Sequence, residues 1–212
     1  MSDIFKKKLK PYNDPSINLV YELLFCDDIN LYKDYNIKSG SYPWNILFSE
    51  TATTADLEQI LLNTDVGARV KILTYNKLQN QGLNIDKKIL LGVIVELGLD
   101  GGLDVLASFN DGTARYINQT GKMIVWETTD EMSNSLTNAL FDNSYNIVMK
   151  IGPWDKPRKS NPEKGIVRIT FLVSDGLYFG EGPINVLFND PMASPALSSA
   201  AELMKYLVEK VS

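Results

Sequence analysis

Apolar positions recur at two different periods along this chain, and the switches between them mark its elements. Asp14 followed by Pro15 predicts a helix N-cap with proline in the first turn. Ile17, Val20, Tyr21 and Leu24 then form one stripe of a helix running to about Cys26. From Asp27 to Thr54 the periodicity fades, and Tyr32, Tyr35, Tyr42, Trp44 and Phe48 sit among Asn, Ser, Gly and Pro in an aromatic-rich irregular region. Thr53 with Asp56 three residues on predicts a capped helix start. Leu57, Ile60 and Leu61 follow at helical spacing until Asn63-Thr64-Asp65. Val66, Val70, Leu73 and Leu78 carry a second helix toward Gln81-Gly82, where glycine suits the C-terminal cap.

The period changes at Lys87. Ile89, Leu90, Leu91, Val93, Ile94, Val95 and Leu97 form a nearly continuous apolar run, the pattern of a central strand covered on both faces. Asp100-Gly101-Gly102 turns the chain, Leu103, Val105, Ala107 and Phe109 alternate, and Asn110-Asp111-Gly112 supplies a hairpin turn to a third strand, Ala114 to Asn118. A further turn precedes a short strand at Met123 to Trp126. Thr128 and Glu131 then suggest a capping box for a long helix reaching Gly152-Pro153. Residues 152–165 hold three prolines with Lys156, Arg158, Lys159 and Lys164, an exposed and locally basic loop. A second strand group follows in Ile166 to Val173, Leu177 to Phe179 and Ile184 to Phe188. Ser194-Pro195 then opens an amphipathic helix with Leu197, Ala200, Ala201, Met204, Leu207, Val208 and Val211 on one stripe.

Runs of strands followed by runs of helices indicate an α+β domain. The expectation is an antiparallel meander sheet of about six to seven strands in two groups, with helices packed on one face and an N-terminal helical region. A single domain spans 1–212, divided into a mainly helical part (1–86), a strand meander with its helix (87–152) and a second meander with the C-terminal helix (166–212).

Composition narrows the function. Hydrophobic residues make up 44% and charged residues 22%, enough for a core and against wholesale disorder. A net charge of −5 disfavours nucleic acid and anionic membranes as partners, and the basic start Lys6, Lys7, Lys8 and Lys10 reads as a solvated terminus. No apolar run follows it as in a signal peptide, and no stretch has the length of a membrane span. With one cysteine, Cys26, read as a small buried hydrophobe, the expected location is the cytoplasm.

Histidine is absent, which removes Ser-His and Cys-His nucleophiles, imidazole metal sites and the commonest general base. No phosphate-cradling loop is present, because Gly180-Glu181-Gly182 lacks the third glycine and Gly121-Lys122 lacks the following Ser or Thr. The reading therefore assigns no catalytic residue, no metal site and no cofactor. Carboxylates near turns, Asp100, Asp104, Asp111, Asp175 and Glu181, are the remaining material for a metal-assisted hydrolase, although Asp-Gly is also ordinary turn chemistry.

Binding has better candidates. Tyr42 and Trp44 belong to the aromatic segment and fit interface anchors. Arg115 with Tyr116, and Arg168, lie within strands, where arginine needs a solvated face or a carboxylate such as Glu96 across the ladder. Trp154 and Arg158 lie in the basic loop. The function expected is a non-catalytic protein-binding module, an adaptor or an immunity-type neutralising protein. The alternatives are the carboxylate-dependent hydrolase and an oligomer-forming structural protein whose C-terminal stripe packs between subunits.

Overall fold

The computed structural model describes residues 10–33, 40–128 and 130–211. Lys6, Lys7 and Lys8 of the basic start, and Tyr35 of the aromatic segment, lie outside them. The chain forms a six-stranded antiparallel sheet in the order β4-β3-β2-β1-β5-β6. Its strands are β1 (Leu90–Leu99), β2 (Gly102–Phe109), β3 (Ala114–Ile117), β4 (Met123–Trp126), β5 (Ile166–Val173) and β6 (Gly176–Pro183). The longest apolar run, β1, pairs with both β2 and β5 and is buried on both sides, as a strand without a polar face must be.

The N-terminal helical region covers one face. It comprises α1 (Pro15–Leu23), α2 (Asn30–Lys33), α3 (Trp44–Leu47), α4 (Thr54–Leu62) and α5 (Ala68–Asn80). Side chains alternate along each strand, so Ile94, Val105, Ala107, Phe109 and Leu172 pack with Tyr21, Leu57 and Leu73 on this side. The opposite set, Val93, Leu106, Val167, Ile169 and Phe171, packs under α6 (Glu131–Val148) and α8 (Ser194–Val211). The result is three layers, with the sheet in the middle.

Local signals hold where side chains satisfy helix ends. Asp14 caps α1 by accepting from Ser16 N at 2.7 Å, with Pro15 in the first turn. Thr53 and Asp56 form the expected capping box of α4. The box of α6 sits two residues later than Thr128 and Glu131 suggest, because Asp130 and Ser133 make the reciprocal bonds. The first helix stops at Leu23 instead of Cys26. Cys26 lies beyond it with a positive φ of 52°, and its buried thiol accepts from Tyr32 Oη at 3.4 Å.

Residues 184–188 are not a strand. Pro183 closes the β6 ladder, and α7 (Ile184–Leu187) turns so that Ile184 and Leu187, three apart, both reach the core while Val186 stays exposed. A β period would have put Ile184 and Leu187 on opposite sides. In α8, Leu197, Ala200, Leu203 and Leu207 are buried on the chain's own sheet. Burying each leucine is worth roughly 1.5–3 kcal/mol, so this half of the stripe is committed within the subunit. No helix of the described residues is long and apolar enough to cross a membrane.

Burial also fixes the chemistry of Cys26. With the thiol enclosed, its pKa is pushed up to about 12. Thiol-specific reagents at pH 8 are therefore expected to leave the native chain unmodified and to label one thiol in denaturant. Rapid labelling of the native protein would refute this.

Candidate functional site

The residues singled out by sequence fall into two clusters and two isolated positions. The first cluster is built where loop 152–165 folds back over β5 and β6. Register places Glu96 of β1, Arg168 of β5 and Glu181 of β6 side by side across three strands on the face covered by α1. Arg168 Nε donates to Glu181 Oε2 at 2.7 Å, its Nη2 donates to Ser160 O at 2.7 Å, and its Nη1 lies 3.6 Å from Glu96 Oε2. Glu96 is wholly buried, and Tyr21 Oη donates to its Oε1 at 2.5 Å. The cross-strand carboxylate expected for Arg168 is thus present, but on a covered face instead of a solvated one.

Arg158 extends the network. Its guanidinium lies 3.7 Å from the centre of the Phe25 ring, donates through Nε to Asp27 at 2.9 Å and pairs with Glu22. The loop is irregular, as its prolines imply, yet it carries this side chain inward instead of presenting it to solvent. Trp154 is half-buried, packs edge-on against Phe179 at 5.0 Å and donates its indole N–H to Pro157 O.

Charge balance explains the titration behaviour. Burial raises the pKa of Glu96, and the nearby Arg168 and the bond from Tyr21 offset this only in part. For Glu181 burial acts the same way, but Arg168 and Lys159 reverse it and hold the carboxyl below its ordinary value. For Arg158 burial lowers the pKa, and Asp27 with Glu22 more than restores it. A polar pocket of about 400 Å3 opens beside this network, lined by Lys159, Ser160, Asn161, Arg168 and Glu181. Because its arginine is already paired, the network ties loop to sheet and leaves little capacity for an anionic ligand.

The second cluster lies at the other end of β1. Trp44 stacks between Tyr32 (5.7 Å, 23° between planes) and Phe48 (5.5 Å, 26°), giving a column of three rings. Beside it opens a cleft of about 530 Å3 with Leu23, Tyr32, Trp44 and Val70 as apolar lining and Arg69, Asp111 and Glu127 as polar lining. Arg69 lies 5.6 Å over the Phe109 ring and 3.7 Å from Glu127, and remains partly exposed. Arg115 reaches the cleft through the same carboxylate. It is buried, donates to Ala114 O and Trp126 O, and pairs with Glu127.

The two isolated positions lie apart from both clusters. Tyr42 is exposed, and its hydroxyl accepts from Asn63 Nδ2. Tyr116 points to the opposite face of the sheet, where burial and Asp104 push its pKa up to about 12. Arg69, Glu127 and Tyr21 were not singled out as site residues. Arg69, in α5, and Glu127, just beyond β4, lie 58 residues apart and meet only in the tertiary structure, 3.7 Å from each other.

The turn carboxylates do not converge. Asp100 pairs with Lys164, Asp104 accepts from Gln119 N, Asp175 accepts from Tyr178 Oη, and Glu181 holds Arg168. Among the described residues no group of three acidic, histidine or cysteine side chains is arranged to hold a metal ion. Asp111 serves a structural end: its Oδ2 accepts from Ala68 N at 2.7 Å and caps α5 from the hairpin below. Replacing Asp111 with alanine is expected to cost about 1 kcal/mol in urea unfolding and to loosen one wall of the cleft. An unchanged midpoint would show the cap to be dispensable. The chain matches no protein-family model and no curated protein at a significant level of similarity, so its function rests on the chemistry of these residues.

Proposed function

We propose that this chain is a protein-binding module, acting as an adaptor or as a neutralising partner of another protein, with the cleft beside Trp44 as its contact surface. The observation that carries this reading is the combination of an aromatic column with a mixed-charge rim in the largest of the clefts described above. Rigid aromatic rings supply contact area at low entropic cost, and a partly exposed Arg69 with Glu127 supplies polar contacts at the edge.

The neighbouring edge strand supports the same reading. β4 ends the sheet, and Val125, half exposed, lies on the same side as Glu127 and extends the apolar surface from the cleft. An extended segment of a partner can add to such an edge while one apolar side chain enters the cleft. The expected partner is a polypeptide with an aromatic or long aliphatic anchor. The carboxylates at separate turns give a hydrolase reading no support.

The test uses the whole chain as bait in cells of its source, with variants Trp44→Ala, Arg69→Glu and Val125→Asp checked by circular dichroism. A captured protein that rebinds the purified chain directly and is lost by at least roughly tenfold with all three variants is the expected result. Capture that is indifferent to the folded Arg69→Glu and Val125→Asp variants would overturn the assignment of this cleft.

A further inference from the structure

The cleft beside Trp44 is lined by a cation whose hydrogen-bonding capacity is unused. Arg69 has a side chain only 35% exposed, yet among the described residues no group accepts a hydrogen bond from its guanidinium. Its contacts are the Phe109 ring, 5.6 Å away, and Glu127 at 3.7 Å, an ion pair beyond hydrogen-bond reach. A guanidinium that has lost most of its water without gaining a protein acceptor is the group with most to gain from an incoming anion.

The two carboxylates of the cleft are already committed. Glu127 pairs closely with the buried Arg115. Asp111 accepts from Ala68 N at 2.7 Å through Oδ2, and from Thr113 N at 3.1 Å and Thr113 Oγ1 at 2.7 Å through Oδ1. The start of α5, which Asp111 caps, adds roughly half a positive charge. Two guanidiniums and a helix start therefore face two carboxylates, and Arg69 is the cation left over. Lys33 Nζ, 5.9 Å over the Phe48 ring, adds positive charge at that end of the aromatic column. The titration of Arg115 reflects the same excess: burial and then the charge of Arg69 lower its pKa, and Glu127 restores it only in part.

We infer that the cleft seats the C-terminal residue of the partner polypeptide, with its apolar side chain against Trp44 and Val70 and its terminal carboxylate on Arg69. This rests on the reading of the cleft as the contact surface. The apolar wall of Leu23, Tyr32, Trp44 and Val70 and the cation Arg69 line one cleft, so its occupant must carry an apolar group and an anion close together. A chain end does this on a single residue, because side chain and carboxylate share one Cα. An internal acidic residue does not, since its neighbour on the same side of an extended chain is two residues and about 7 Å away, and the chain must leave the cleft again. The planar guanidinium meets a carboxylate through two parallel N–H donors, a pairing that an amide end cannot reproduce.

Peptide titrations followed by the indole N–H resonance of Trp44 test this. The probes are acetyl-diglycyl-phenylalanine and acetyl-diglycyl-leucine as free acids, the same two as C-terminal amides, and acetyl-glycyl-phenylalanyl-aspartyl-glycine amide, which carries its charge on an internal side chain. The free acids are expected to shift the resonance and to bind at least roughly tenfold more tightly than the amides and the aspartyl peptide. Arg69→Gln, confirmed as folded by its amide spectrum, is expected to remove that preference, and Arg69→Lys to keep part of it. Amides or an aspartyl peptide that bind as tightly as the free acids would overturn the inference while leaving the cleft as a contact surface. Free acids that leave the resonance unmoved at millimolar concentration would overturn it too. Whether the cleft meets a partner at all is read separately, from the capture experiment with Arg69→Glu and Val125→Asp.

Discussion

Replacing Arg168 with methionine is expected to destabilise the protein by about 3–5 kcal/mol at neutral pH, measured by urea unfolding, because it strands a buried carboxylate. Glu96 has no exposure at all, and Arg168 Nη1 at 3.6 Å is the nearest of the cations acting on it. Methionine keeps the bulk of the side chain while removing the charge and the bonds to Glu181 and Ser160 O. The double variant Glu96→Leu, Arg168→Met is expected to recover much of the loss, since an apolar pair has no charge to desolvate. Tyr21 retains Asn161 Oδ1 as an acceptor at 3.2 Å in that background. A single variant as stable as the native chain would show that Glu96 is not held by Arg168.

The sign of the pH dependence follows from the direction of the Glu96 shift. Its native pKa is raised from 4.5, chiefly by burial, so the folded state holds this proton more tightly than the unfolded chain. Its contribution to stability is full below pH 4.5 and is lost as pH rises through the higher native value. The native chain relative to Glu96→Gln should therefore lose stability as pH rises from 4 toward 7. In Arg168→Met the penalty should shrink on acidification, when the carboxyl is neutral. A difference between native and Glu96→Gln that is flat with pH would refute the shift.

Gly98→Ala is expected to cost roughly 3 kcal/mol, the upper end of the range for overpacking, because the space a Cβ needs is filled by backbone. A methyl at Gly98 would stand 2.5 Å from Glu163 C and 2.7 Å from Pro162 O, and carbonyls cannot rotate away as a flexible side chain can. Gly98 also accepts from Gly165 N at 2.9 Å and bridges to Lys164, so the end of loop 152–165 is laid directly on β1. Displacing that loop pulls Ser160 O from Arg168 and Arg158 from Glu22 and Asp27. Thermal unfolding should record the loss, and limited proteolysis should cut first within residues 152–165. An alanine variant with an unchanged midpoint and no new cleavage would show that the loop yields without cost.

These two expectations locate the protein's polar chemistry in architecture. Arg158 and Arg168 carry opposite charges around them and spend their donors on holding a loop, α1 and three strands together. The cleft beside Trp44 differs, since Arg69 stays partly exposed and its carboxylate partner Glu127 is shared with Arg115. That contrast, and not the number of aromatic residues in the segment, is why the proposed binding surface is the Trp44 end of the sheet.

Much of the fold was legible because local physics decides it. Asp14-Pro15 and Thr53 with Asp56 cap helices through side chains at fixed short range. The nearly continuous apolar run of β1 required cover on both faces, and Gly112 with φ 84° occupies the hairpin turn that Asn110-Asp111-Gly112 announces. Residues 184–188 were illegible for the opposite reason. Four apolar residues around Asn185 in a five-residue segment satisfy either period, and the choice of helix followed from Ile184 and Leu187 reaching the core together. Arg168 was legible as an arginine in need of a carboxylate, whereas its burial was not, because the cover comes from α1, some 150 residues earlier.

The sequence by itself determined the α+β class, the central strand, the capped starts of α1 and α4 and the absence of histidine chemistry, all of which depend on residue type and on spacing within a few positions. Tertiary structure decided which charges became buried pairs, which aromatic residues opened onto a cleft, and which part of the α8 stripe was buried. Those outcomes depend on segments far apart in the chain meeting across the sheet, and no short-range pattern encodes the partner that each side chain will find.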